Sequence, residues 1–268
     1  MTDAVIIDAI RTPLGRRNGM LAAVHPVDLL AALLQQLIAR NHLDAVAVDD
    51  VIIGCVDQGG EQGGNIARNA WLSAGLPESV PGVTIDRQCG SSLQAIHFAA
   101  QGVIAGAYDL VIAGGVESMS RIPMFSLLQH NGGTPLTESL SRRYGLHEGW
   151  FDQATGAELI AKQWGFNRTE LDAYSYESHQ RAAAATDAGR FAAETIPVLL
   201  PPGTADEGIR RNTTLERMAA LQPAFPGLDL ITAGNSSQIS DGASLTLISS
   251  PESARRLGLQ PRARFVSF

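Results

Sequence analysis

Val83-Thr-Ile-Asp-Arg-Gln-Cys-Gly-Ser-Ser-Leu-Gln-Ala-Ile96 reads as a strand, a tight turn and the start of a helix. The apolar strand ends at Asp86, and the helix opens just past Cys89 among the small residues Gly90, Ser91 and Ser92. That order sets the sulfur at a helix N-terminus, where the dipole and free N–H groups favour thiolate over thiol. A strand-to-helix turn also presents a nucleophile from a rigid scaffold, and small neighbours leave room for a bulky acyl group.

Working outward, the helix continues as an Ala-rich stretch to about Gly106, and Leu110–Ala113 gives a strand running into Gly114-Gly115. Upstream, residues 4–10 and Val51–Gly54 are short apolar runs readable as buried strands. Between them Pro26 opens a helix to residue 40, with Leu29, Leu30, Leu33, Leu34 and Leu37 at helical spacing. A Gly-rich loop, residues 59–64, leads into a helix from Ile66 to Ala74. It matches neither G-x-G-x-x-G nor G-K-[ST], so it is no phosphate-binding fingerprint. Strand and helix alternate throughout, which predicts a layered α/β domain with largely parallel, crossover-connected pairing.

The pattern changes at Glu117. To about Gly234 the chain is richer in loops, Pro and charge, with helices over 153–164 and 168–188, and reads as an inserted α-rich subdomain. Ser244–Ser249 resumes the strand pattern, and Arg264–Phe268 reads as one more strand. The expected division is residues 1–116 with 234–250, an insertion over 117–233, and a linker with the first strand of a truncated C-terminal domain over 251–268.

The 268 residues are 45% hydrophobic, enough for a sizeable core, and the net charge of −7 argues against a nucleic-acid partner. The two cysteines, Cys55 and Cys89, form no disulfide framework, and no apolar run approaches the roughly 20 residues of a membrane span. A cytoplasmic protein without a membrane partner is expected. No His/Cys cluster has ligand spacing, so no metal is expected.

From the residues alone two readings of Cys89 stay open: a packed, inert thiol or an activated nucleophile. Cys55, at a strand end with no small-residue helix start after it, fits the inert reading. The segment Arg87–Ala95, however, resembles the nucleophile motif of the thiolase family. In the same order, Asp8–Gly15, Gly60–Arg68, Ala113–Ser120, Ala157–Gly165 and Ala233–Ala243 resemble further thiolase segments, so the likeness runs from Ala4 to Phe268.

The resemblance implies a thiolase-like α-β-α domain, with the insertion as the loop domain that holds CoA. It implies acyl transfer between CoA thioesters, by thiolysis of a 3-ketoacyl-CoA or condensation of acetyl-CoA, through an acyl group on Cys89. CoA and acyl-CoA are then substrates, with no bound cofactor. Arg210, Phe225, Ala233 and Ser237 fall at CoA-contacting positions, Arg210 toward the nucleotide end and Ser237 along the pantetheine arm. Asn235–Gly242 is more similar to 3-ketoacyl-CoA thiolases than to the acetoacetyl-CoA type. A homodimer or tetramer is implied as well.

The family's activating histidine in Gly-His-Pro, its second cysteine in Cys-x-Gly-Gly-Gly and its Asn-Glu-Ala-Phe segment do not occur in this sequence. His25, His42, His97, His130, His147 and His179 offer no replacement, so little turnover is expected from this chain alone. Two other readings compete: a β-ketoacyl synthase-like enzyme, and a non-catalytic CoA-binding or assembly protein derived from a thiolase.

Overall fold

The computed structural model describes residues 3–126, 134–146, 151–198 and 205–268. Its strands are β1 (Val5–Arg11), β2 (Gly15–Arg16), β3 (Asp50–Gly54), β4 (Gly82–Ile85), β5 (Leu110–Ser118), β6 (Ser240–Ser249) and β7 (Ala263–Arg264). The helices are α1 (Pro26–Arg40), α2 (Ile66–Ser73), α3 (Ser91–Ala105), α4 (Glu138–Tyr144), α5 (Gln153–Trp164), α6 (Arg168–Asp187), α7 (Leu215–Ala219) and α8 (Pro251–Arg256). None of them is long and apolar enough to cross a membrane.

Two compact units result. The first comprises Met1–Leu127, Phe191–Glu207 and Ile239–Phe268; the second comprises Leu128–Arg190 and Gly208–Gln238. This differs from the 117–233 insertion expected from composition, because Phe191–Glu207 belongs with the first unit. The reason is long-range pairing: Arg11 binds Glu194 at 2.9 Å and Asp206 at 2.8 Å. Residues 251–268 also belong to the first unit, where a linker and the first strand of a C-terminal domain were expected. Ala254 of α8 and Leu259 join its core, and β7 pairs with β1. That strand is only Ala263–Arg264, not Arg264–Phe268, because its pairing on the edge of β1 is limited to Val5 and Ile6.

The first unit is built on one sheet of order β4-β3-β5-β6-β1-β7, with β2 paired to β6. Only β3–β4 and β3–β5 are parallel; β6 is antiparallel to β5, β1 and β2, and β1 is antiparallel to β7. The largely parallel sheet expected from the alternation is therefore corrected to a mixed one. The strands joined by α1, α2 and α3, namely β1, β3, β4 and β5, do all run the same way. But β6 enters between β5 and β1 after the long excursion and runs against both. An apolar run carries no direction, so this was not readable from the strand itself.

Alternation along the strands separates two layers of core. Val51, Ile53, Leu110, Ile112, Leu245 and Leu247 face the side covered by α1 and α2, with Leu29, Leu30, Leu33, Leu34, Leu37 and Trp71. Ile52, Val111, Ala113 and Ile248 face α3, where Ala95, Ala99, Ala100 and Val103 pack. Each α1 leucine is at most 1% exposed, which contributes about 2 kcal/mol apiece.

The second unit has a small apolar core of Ala154, Leu228 and Ile231, with Ala157 and Leu171 against it. Polar capping carries much of its order. Asp152 caps α5, and Asn167 with Glu170 forms a capping box at α6.

Candidate active site

The turn between β4 and α3 carries the candidate nucleophile. Cys89 is exposed, whereas Cys55 is buried. Gln88, directly before it, has φ 49°, in the left-handed region that costs a non-glycine residue about 1–2 kcal/mol. Such a backbone persists only where its surroundings over-determine it. Here the Gln88 N–H donates to Asp86 Oδ1 at 2.6 Å, and the Gln88 carbonyl accepts from Ser91 Oγ at 2.6 Å and from Ser91 N at 2.9 Å. Ser91 Oγ in turn accepts the Arg87 N–H at 2.8 Å.

Helix α3 starts with Gly90 as N-cap and no side-chain cap, so its first-turn N–H groups are not claimed by a capping side chain. The helix start sits directly on the strand ends. A Cβ at Gly54 would lie 2.3 Å from the Ser91 carbonyl carbon, and one at Gly115 would lie 2.8 Å from Ser92 Cβ. Glycine therefore stands at the end of β3 and within β5 where α3 lands on them.

Beside this turn lies an acidic cluster at the same ends of β3 and β5. Glu117 accepts the Val56 N–H at 2.8 Å and the Gln62 side-chain amide at 2.7 Å, and Cys55 Sγ lies 3.9 Å from its Oε1. Burial pushes the Cys55 thiol well up, and the charge of Glu117 adds to it. Cys55 is thus a buried thiol whose ionisation is disfavoured, which fits the packed reading of its sequence context. Burial, with Glu117 and Asp86 nearby, also raises the Asp57 carboxyl to about 6. Among the described residues no group of His, Cys, Asp and Glu could hold a metal ion.

Arg210, Phe225, Ala233 and Ser237 all fall in the second unit, and all four are exposed. Arg210 donates its N–H to His179 Nδ1 at 3.2 Å, while its guanidinium has no ion-pair partner among the described residues. The adjacent Arg211 is committed to Asp187 at 2.9 Å. Burial and the Arg210 charge lower the His179 pKa. Phe225 lies within, and Ala233 directly after, a short hairpin in which Pro223 bridges Thr232 and the Ala224 N–H donates to the Ile231 carbonyl at 2.8 Å. Ser237 Oγ accepts from the Gln153 side chain at 3.3 Å.

Two buried carboxylates hold the backbone that carries Ala233. Glu158 accepts the N–H groups of Asp229, Leu230 and Ile231 at 2.9–3.1 Å and pairs with Lys162 at 2.9 Å. Burial works against its ionisation, but these donors prevail and hold its carboxyl at about 2. Asp172 accepts from Arg168 at 2.7 Å and from the Asn235 amide at 2.9 Å. Neither was identifiable from the sequence: an acidic residue on a helix reads as solvated unless its donors from elsewhere in the fold are known.

The histidines have other roles or none. His25 Nδ1 caps α1 through the Val27 N–H at 3.3 Å, and His97 packs edge-on to Phe268 at 5.5 Å. His42 is exposed, and His130 and His147 lie outside the described residues. Among the described residues no histidine is hydrogen-bonded to Cys89.

Residues 4–252 match the family described as "Thiolase, N-terminal domain". The chain is 50% identical to the steroid 3-ketoacyl-CoA thiolase FadA6 of Mycobacterium tuberculosis, over 98% of this chain and 66% of that protein. It is 45% identical to the 3-ketoacyl-CoA thiolase of Cronobacter sakazakii, over 100% of this chain and 70% of that one. A solved structure, the Bacillus anthracis acetyl-CoA acetyltransferase, is similar at 35% identity and a TM-score of 0.86, over 99% of this chain and 70% of that chain. The chain thus spans about two thirds of the length of the curated relatives it matches.

Proposed function

Since this chain belongs to the thiolase family, we propose that it takes part in acyl transfer between CoA thioesters, with Cys89 carrying the acyl group. The supporting observation is the exposed Cys89 on a strained strand-to-helix turn, ahead of a helix whose N-terminus has no side-chain cap. Sγ attacks the thioester carbonyl carbon, a new S–C bond forms, and the bond to the CoA sulfur breaks. The proton given up by Cys89 ends on the departing CoA thiol. First-turn N–H groups of α3 are suited to the oxyanion that develops on the carbonyl oxygen.

CoA is assigned to the second unit, with Arg210 toward its phosphates, Phe225 and Ala233 along its length, and Ser237 on the pantetheine arm. A guanidinium with no ion-pair partner among the described residues, beside a committed Arg211, supports that choice of cation. The relatives' names support 3-ketoacyl-CoA as the substrate class. A homodimer or tetramer in the cytoplasm belongs to the same reading.

Incubation with acetyl-CoA followed by peptide mass analysis tests the proposal. An acetyl group is expected on Cys89, absent in Cys89→Ala and retained in Cys55→Ser. CoA bound reversibly with no adduct on any cysteine would replace acyl transfer by CoA binding alone.

A further inference from the structure

We propose that Ser91 is a positioning residue: its hydroxyl, working with the Asp86 carboxylate, locks the Gln88 peptide so that Cys89 is aimed for attack. The inference rests on the acyl-transfer reading of Cys89.

Ser91 is only 4% exposed, and its hydroxyl is used in both directions. It receives the Arg87 N–H and donates to the Gln88 carbonyl, which closes a ring around the two residues preceding the nucleophile. Asp86 takes the remaining polar group of Gln88, its N–H. The Gln88 φ of 49° therefore has its N–H and carbonyl both tied by neighbours that are themselves fixed. Asp86 follows β4, and the Ser91 backbone is pressed against Gly54 at the end of β3. Without the hydroxyl, the Arg87 N–H loses its acceptor and the Gln88 carbonyl keeps only the Ser91 N–H. The left-handed conformation then has fewer restraints than a non-glycine residue needs. The displaced atom would be Sγ of Cys89, one residue on. Its misplacement would slow attack on a bound thioester without touching the groups that bind CoA.

The test compares Ser91→Ala, Ser91→Thr and Asp86→Ala with the unsubstituted protein in two assays. One follows Cys89 acetylation against acetyl-CoA concentration; the other follows amide hydrogen exchange of the peptide spanning residues 86–92. Ser91→Ala is expected to lower the limiting acetylation rate by about tenfold or more, with the half-saturating concentration unchanged. Exchange in the turn should rise while β3 and β5 keep their protection. Ser91→Thr, which keeps the hydroxyl, should recover most of the rate. Asp86 is exposed, so Asp86→Ala provides a second variant that spares the core, and it should move both readouts the same way.

An unchanged limiting rate in Ser91→Ala, or in Asp86→Ala should Ser91→Ala not fold, overturns the proposal, as does unchanged turn exchange. A loss seen only in half-saturation overturns it too. If the unsubstituted protein takes no acetyl group, the acyl-transfer reading itself fails. The exchange arm then still decides whether the hydroxyl holds the turn.

Discussion

Replacing one hydrogen of Gly54 by a methyl group would set a carbon 2.3 Å from the Ser91 carbonyl carbon. The atoms in the way are backbone at the start of a helix, so they cannot rotate aside. Gly54→Ala is therefore expected to destabilise the first unit by about 3 kcal/mol and to slow Cys89 acetylation, measured by urea denaturation and mass analysis. The turn that carries Cys89 was legible because its signal is local: a strand, a turn and small residues in succession. The left-handed Gln88 was not, since glutamine gives no warning of positive φ. Nor were the bonds of Asp86 and Ser91, which exist only once that φ is adopted. Cys55 is buried, as its context suggested, but Glu117, 3.9 Å from its sulfur, comes from a strand far along the chain.

At the scale of elements, α5 shows how a helix can organise backbone outside itself. Glu158 turns a carboxylate toward three successive N–H groups and keeps Lys162 one turn away. Its carboxyl lies at about 2 against an ordinary 4.5, so the folded state binds this proton less well than the unfolded one. The stabilisation is thus complete above about pH 4.5 and is lost as the pH falls through about 2. Glu158→Gln should lower the stability of the second unit at neutral pH by about 1–3 kcal/mol. It should also flatten the acid limb of a circular-dichroism titration. The helices α1, α5 and α6 were legible because each has a cap and several turns of pattern. The short α4, α7 and α8 carry too few turns for periodicity to register, and the reversed direction of β6 depends on where the excursion returns.

Over the whole molecule, the two units are ordered by different means. The first has two apolar layers on a sheet; the second has a cluster of three buried apolar residues and a polar frame, and only Asp172 of α6 is buried. Native-state hydrogen exchange should therefore find the amides of β5 and β6 protected at least about 100-fold more than those of α6. Composition announced the excursion by its loops and charge. It could not announce that Phe191–Glu207 belongs with the sheet, since that depends on Arg11, near the other end of the sequence. The same topology bears on how the chain is born. Val5 of β1 has Ser249 on one side and Arg264 on the other. At ribosomal speed, roughly 10–50 s separate the synthesis of β1 from that of either neighbour. Throughout that interval an apolar strand waits with both edges unpaired, and this is when a nascent-chain chaperone would have something to hold.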